Sequence, residues 1–126
     1  MNLHEKIRQD LITNLKIEED DKIGQLNNSM RLLAKWRSVL IQNTILQNEG
    51  ANILGGPFKG MGFLEQSSEG CHIAKLLGCY EQPLFKHLDA VFSSNFTLVL
   101  NVGCAEGYYA VGMARRMQNA EIFAFD

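Results

Sequence analysis

No apolar run in this 126-residue chain approaches the roughly 18 consecutive residues that a bilayer span requires, so no membrane helix is expected. The opening, MNLHEKIRQD, is charged from the start and does not read as a secretory signal, which makes a reducing cytoplasm the expected location. Charge of one sign is scarce too. The formal net charge is -2, and Arg115, Arg116 and the nearby lysines form no basic stripe. A nucleic-acid footprint is therefore not expected, and RNA could enter only through a further domain. Cysteine is limited to Cys71, Cys79 and Cys104, an odd count whose spacing fits no common zinc pattern. Cys71 and His72 are adjacent and Cys79 follows one or two helical turns on. Unpaired, partly buried thiols are the simpler reading, and no metal is expected.

What is present reads as one modest α/β domain with a helical lead-in. Leu3, Ile7, Leu11 and Leu15 recur every fourth residue and predict a helix over 3–19. The run Glu18, Glu19, Asp20, Asp21 is unfavourable at the negative end of a helix, so it belongs to a turn or to the next segment. Asn28 or Ser29 can cap a second helix and Gly50 can end it. Its packed face would be Met30, Leu33, Leu40, Ile41 and Ile45, with Trp36 beside them. Residues 50–70 are glycine-rich, and GGPFKGMGF reads as an ordered loop with a turn at Pro57 and Lys59 as its one charged probe. From Ile73 to about Ser93 a short helix, a break near Gly78 and a second helix are expected. Pro83 would sit in the first turn of that second helix, and Leu84, Leu88, Val91 and Phe92 would form its buried stripe.

Residues 96–126, FTLVLNVGCAEGYYAVGMARRMQNAEIFAFD, carry the chemistry. Thr97 to Val102 is nearly unbroken in apolar and β-branched residues, the pattern of a strand buried on both faces of a parallel sheet. Gly103, Cys104, Ala105, Glu106 and Gly107 follow at once. Tyr108 to Met117 then reads as a helix whose small residues Ala110, Gly112 and Ala114 suit close packing. Glu121 to Phe125 is a second strand, and Asp126 stands at its C-terminal edge. Strand, glycine turn, helix, strand and acid is the order of a βαβ nucleotide-binding unit. The turn must bring backbone N–H groups close to a ligand, so its side chains must be small. The free amides of the following helix suit an anion. Asp126 lies about 20 residues beyond the turn, the spacing at which an acid can accept from ribose hydroxyls.

A dinucleotide site wants G-x-G-x-x-G, and the third glycine would fall on the bulky Tyr108. The pattern is instead G-x-A-x-G. It resembles the first motif of class I S-adenosylmethionine-dependent methyltransferases, and CAEGYYAVGMAR is similar to variants found in bacterial O-methyltransferases. The upstream segments GPFKGM and KLLGCYE resemble sequences that precede this motif in the same proteins. The resemblance covers 96–126 well and extends more loosely over 55–95; residues 1–50 carry none of it. It implies a Rossmann-like sheet and S-adenosylmethionine as cofactor. Gly103, Cys104, Ala105, Glu106 and Gly107 would line the methionine and ribose, with Tyr108 beside them, and Asp126 would bind the ribose. Two positions depart from the pattern. The leading acid, which organises the cofactor's amino end, is Asn101, and the middle glycine is Ala105.

The segments expected are therefore a helical lead-in over 1–50, a glycine-rich loop with helices over 51–95, and the start of a cofactor-binding sheet over 96–126. Only two strands of a sheet of about seven are legible, so the chain reads as the N-terminal portion of such an enzyme, with little activity alone. An exposed sheet edge would favour a homo-oligomer. The implied reaction is methyl transfer to a small-molecule acceptor, most simply at oxygen, and no catalytic base is legible. Tyr80, Glu81 and Tyr109 could reach the site, while His72 and His87 read as packing or surface residues. Two other classes compete: an NAD-binding Rossmann protein, disfavoured by Tyr108, and a non-catalytic helical interaction module with a vestigial nucleotide-binding tail.

Overall fold

The computed structural model describes residues 2–17, 21–67 and 70–126, and these form a mixed α/β chain with a two-stranded parallel sheet. The elements are α1 (Leu3–Lys16), α2 (Lys22–Glu49), α3 (His72–Leu77), α4 (Phe85–Phe92), β1 (Leu98–Val102), α5 (Tyr108–Arg116) and β2 (Glu121–Phe125). Two compact units result, Met1–Thr44 and Ile45–Asp126, with the division falling inside α2. Among the described residues no helix is long and apolar enough to cross a membrane.

The first unit is a helical hairpin. Asn2 starts α1 with a capping box: its side chain accepts from the Glu5 amide at 2.9 Å while Glu5 Oε2 accepts from the Asn2 amide at 3.0 Å. The helix stops at Lys16, short of the expected 3–19, because Ile17 turns extended. Glu18, Glu19 and Asp20 lie outside the described residues. Asp21 belongs to the next helix, as its Oδ1 accepts from the Gly24 amide at 2.9 Å. This cap moves the start of α2 several residues ahead of Asn28 and Ser29, which lie within the helix. Gly50, at φ +67, ends it in the left-handed form.

Polar side chains join the two helices. Asn14 Nδ2 donates to Gln25 O at 2.9 Å and Ser29 Oγ at 2.8 Å, and Gln25 Nε2 returns a bond to Asn14 O at 2.7 Å. Trp36 Nε1 donates to His4 Nδ1 at 3.0 Å. The expected packed face is thereby corrected: Met30, Leu33 and Ile41 are exposed, and α2 has no buried residue. The stripe that meets α1 carries Gln25, Ser29 and Trp36, which hydrogen bonding rather than hydrophobicity selects.

The second unit has a core of Ile53, Phe58, Met61, Leu88 and Tyr108. The glycine-rich loop is ordered because it supplies three of these five, and an isolated antiparallel bridge, Asn52 to Gly62, closes its base. The break after α3 is Gly78, whose backbone presses on Gly55: a Cβ at 78 would fall 2.0 Å from the Gly55 carbonyl oxygen. Pro83 lies in a short 3-10 turn, Gln82–Leu84, that leads into α4. Of the stripe expected there, Leu88 is buried but Leu84 is exposed, because it belongs to that turn and not to the helix.

The sheet pairs Leu98 with Glu121 through Val102 with Phe125, in parallel register across α5. Val99 and Asn101 share a face with their partners Ile122 and Ala124, and the latter two line the α5 side. On the other face Leu98, Leu100, Val102, Phe123 and Phe125 are exposed. Burial on both faces of β1 is thus not observed, since the described residues supply a helical cover on the α5 side alone.

Candidate functional site

The bend between β1 and α5 is set by three residues of positive φ: Gly103 (72°), Ala105 (44°) and Gly107 (80°). Alternating left-handed residues fold the chain sharply, and for Ala105 the conformation costs about 1–2 kcal/mol. Hydrogen bonds hold it there. The amides of Gly103 and Cys104 both donate to Phe125 O, at 2.8 and 2.9 Å, and the Gly107 amide donates to Cys104 O at 2.8 Å. Gly107 offers no side chain to cap the first-turn amides of α5.

Asp126 meets this bend. Its Oδ1 accepts from the Ala105 amide at 3.3 Å, and its side chain is otherwise exposed. The end of the second strand and the turn after the first are thus brought together, as parallel register over β1 and β2 requires. Gly103 fronts open space: a Cβ built there meets nothing within 4 Å. Two residues earlier, on β1, Asn101 Oδ1 is buried without a hydrogen-bond partner. An orphaned buried acceptor of this kind costs about 1–3 kcal/mol, and a donor group on a ligand would recover it. Cys104 is half-buried and a free thiol, while Cys71 and Cys79 are exposed rather than partly buried, each lying in a loop or cap outside the core.

Glu106 turns the other way. Its Oε2 accepts from Ser67 Oγ at 2.7 Å and lies 3.5 Å from Lys75 Nζ, with side chains only 11% and 5% exposed for Glu106 and Lys75. The Lys75 ammonium also sits over the rings of Tyr80 and Phe63, 5.3 and 5.8 Å from their centroids. Sequence reasoning missed Lys75 and Ser67. The available signal was a single cation inside the apolar helix HIAKLL, a place where a lysine must find a carboxylate.

Tyr108 points into the core rather than across the bend. Its ring packs edge-on against Phe58, Phe63 and Tyr80, and its hydroxyl is buried without a partner. Burial pushes that hydroxyl up to about 12, with Cys79, Tyr80 and Glu81 adding to it. Tyr109 donates its hydroxyl to Glu81 Oε2. Burial, then this bond and the carboxylate's charge, push the Tyr109 hydroxyl above its ordinary range. Glu81 itself is held at φ 51, an uncommon conformation for a residue with a side chain. Tyr80 and Glu81 therefore approach α5 from the segment after α3, although neither touches Asp126 or the residues at 103–105 through any described contact.

His72 is a core residue, its Nε2 bound to Leu64 O at 2.8 Å, and His87 is exposed. Lys59 is not at the bend. With Arg115, Arg116, Phe58 and Met61 it lines a cavity of about 140 Å³ at the far end of α5. Among the described residues no group of three His, Cys, Asp or Glu side chains is placed to hold a metal ion. No family model, curated protein or solved structure matches the chain.

Proposed function

We propose that the second unit is the cofactor-binding start of a class I S-adenosylmethionine-dependent methyltransferase, with a Rossmann-like sheet as the parent fold. The observation that carries the reading is the Ala105 amide on Asp126 Oδ1, which joins a bend of small residues to an acid at the next strand's end. The residues present fit the cofactor. Asn101 Oδ1 offers an unpaired buried acceptor for an amino group, Gly103 leaves room for a close approach, and Asp126 Oδ2 has no partner among the described residues and is disposed to accept from ribose. When bound, the cofactor supplies a methyl group activated on a sulfonium. The chain's own part is to hold and orient it, the kind of positioning that lowers a barrier by fixing geometry. Glu106 supports the bend instead of lining the ligand, and Tyr108 supports it from the core.

The methyl acceptor is proposed to be a small molecule and the chain a homo-oligomer, since β1 and β2 each keep an unpaired outer edge among the described residues. A second reading, an interaction module built on the helical hairpin, draws on the exposure of Ile23, Leu26, Met30 and Leu33 along α2. Calorimetric titration of the full chain with S-adenosylmethionine, S-adenosylhomocysteine and NAD separates these. Binding of the first two without NAD is expected. NAD binding alone would overturn the methyltransferase reading, and silence towards all three would favour the interaction module.

A further inference from the structure

Glu106 is the one long side chain in the bend, and it is spent on a partner far away in sequence. Its carboxylate is nearly buried and shares one oxygen between Ser67 and Lys75, while Lys75 is boxed by Phe63 and Tyr80. The flanking residues Ala105 and Gly107 are both left-handed, so Glu106 sits between two residues of positive φ. No cap from a side chain steadies Gly107. A charge buried beside its counterion in a low dielectric is strongly directional and poorly screened, so it fixes position well even where it adds little net stability.

We infer that Lys75 and Ser67 form a clamp that acts through Glu106 to hold the 103–107 bend in its ligand-ready form, making Lys75 a positioning residue for the cofactor. The inference rests on the cofactor reading for its consequence but not for the clamp itself. Lys75 reaches Glu106 from α3, which the Gly55 and Gly78 contact locks to the glycine-rich loop. The bend is thereby tied to α3 as well as to the end of β2, where Phe125 and Asp126 accept from its amides. Removing the cation lets Glu106 swing toward solvent and relaxes the strained Ala105.

Two measurements on the full chain test this, on Lys75→Met, Lys75→Arg, Glu106→Gln and Ser67→Ala. The first is amide hydrogen exchange at 103–107 without ligand. Lys75→Met and Glu106→Gln are expected to speed exchange there about tenfold relative to the rest of the sheet, and Lys75→Arg to restore most of the protection. Rates unchanged at the bend would overturn the clamp, whatever the chain binds. The second is affinity for S-adenosylmethionine by calorimetry. A loss of about tenfold is expected for Lys75→Met, with Glu106→Gln no worse in combination with it than alone, as for two members of one unit. Fully additive losses would overturn the clamp. Where Lys75→Met does not fold, Ser67→Ala is the decisive variant: folded, it should speed exchange at the bend about threefold, and wild-type exchange would overturn the clamp. A wild-type chain that fails to bind the cofactor rejects the functional reading while the exchange data still judge the clamp.

Discussion

Gly112 lies flat against Phe58, close enough that a Cβ at 112 would fall 2.4 Å from Phe58 Cδ1. Phe58 is 3% exposed and in edge contact with Tyr108, Tyr109 and Phe92, so any retreat disturbs these rings unless it goes into the cavity that Phe58 lines. Glycine within a helix normally costs about 1 kcal/mol relative to alanine, which would make Gly112→Ala stabilising. Overpacking of a fixed ring costs about 1–3 kcal/mol and works against that gain. The clash is expected to win, lowering the thermal midpoint; a midpoint equal to or above wild type would show that Phe58 moves aside.

Gly78→Ala is expected to be more damaging. Here left-handed backbone, at φ +76, adds about 1–2 kcal/mol to a contact with the Gly55 carbonyl, which is backbone and cannot rotate away. Urea titration followed by circular dichroism should show a larger drop in midpoint than for Gly112→Ala. The reverse order would mean that the 55 and 78 segments separate easily.

Tyr108→Phe should stabilise the chain. The hydroxyl it removes is buried and unpaired, a penalty of about 1–3 kcal/mol, and the ring's packing is retained. The same hydroxyl gives a pH signature. Its proton is held to about 12 in the folded state against 10.0 when unfolded, so the folded chain keeps a proton that the unfolded chain has lost. Stability from this group is complete below pH 10 and declines as pH rises from 10 towards 12. Denaturant midpoints across that window should fall less steeply in Tyr108→Phe than in wild type. Equal slopes would locate the effect elsewhere, with Tyr109 the next candidate.

Asn101→Asp separates ligand effects from folding effects. A carboxylate at this buried position lacks a described donor, so the ligand-free variant should melt lower. If the cofactor's ammonium approaches that atom, the same change should tighten S-adenosylmethionine binding about tenfold, since bonds to charged partners are roughly twice as strong. Lower stability together with weaker binding would remove Asn101 from the cofactor site.

The bend was legible because its determinants are local: small residues at 103, 105 and 107, an apolar strand before them and Asp126 after. The two ends of α2 show the contrast. Gly50 announces the C-terminus through its own conformational freedom, whereas Asp21, Asn28 and Ser29 are equally good caps by residue type. Asp21 prevails because Gln25 and Ser29 are needed in helical form to meet Asn14. Lys75 and Glu106 were illegible as a pair for a different reason. Neither has a periodic or motif context that names the other, and their meeting depends on how α3 packs beneath the bend. The open face of β1 escaped as well, since an apolar run records a preference for burial and not the presence of a cover.

The chain's chromophores are sorted by unit. Its one tryptophan, Trp36, is bonded to His4 within the hairpin, and its three tyrosines, Tyr80, Tyr108 and Tyr109, all lie in the other unit. Red-edge fluorescence thus watches one half of the molecule and tyrosine absorbance the other. Unfolding curves recorded in the two channels need no added label to reveal whether the halves melt together or in succession.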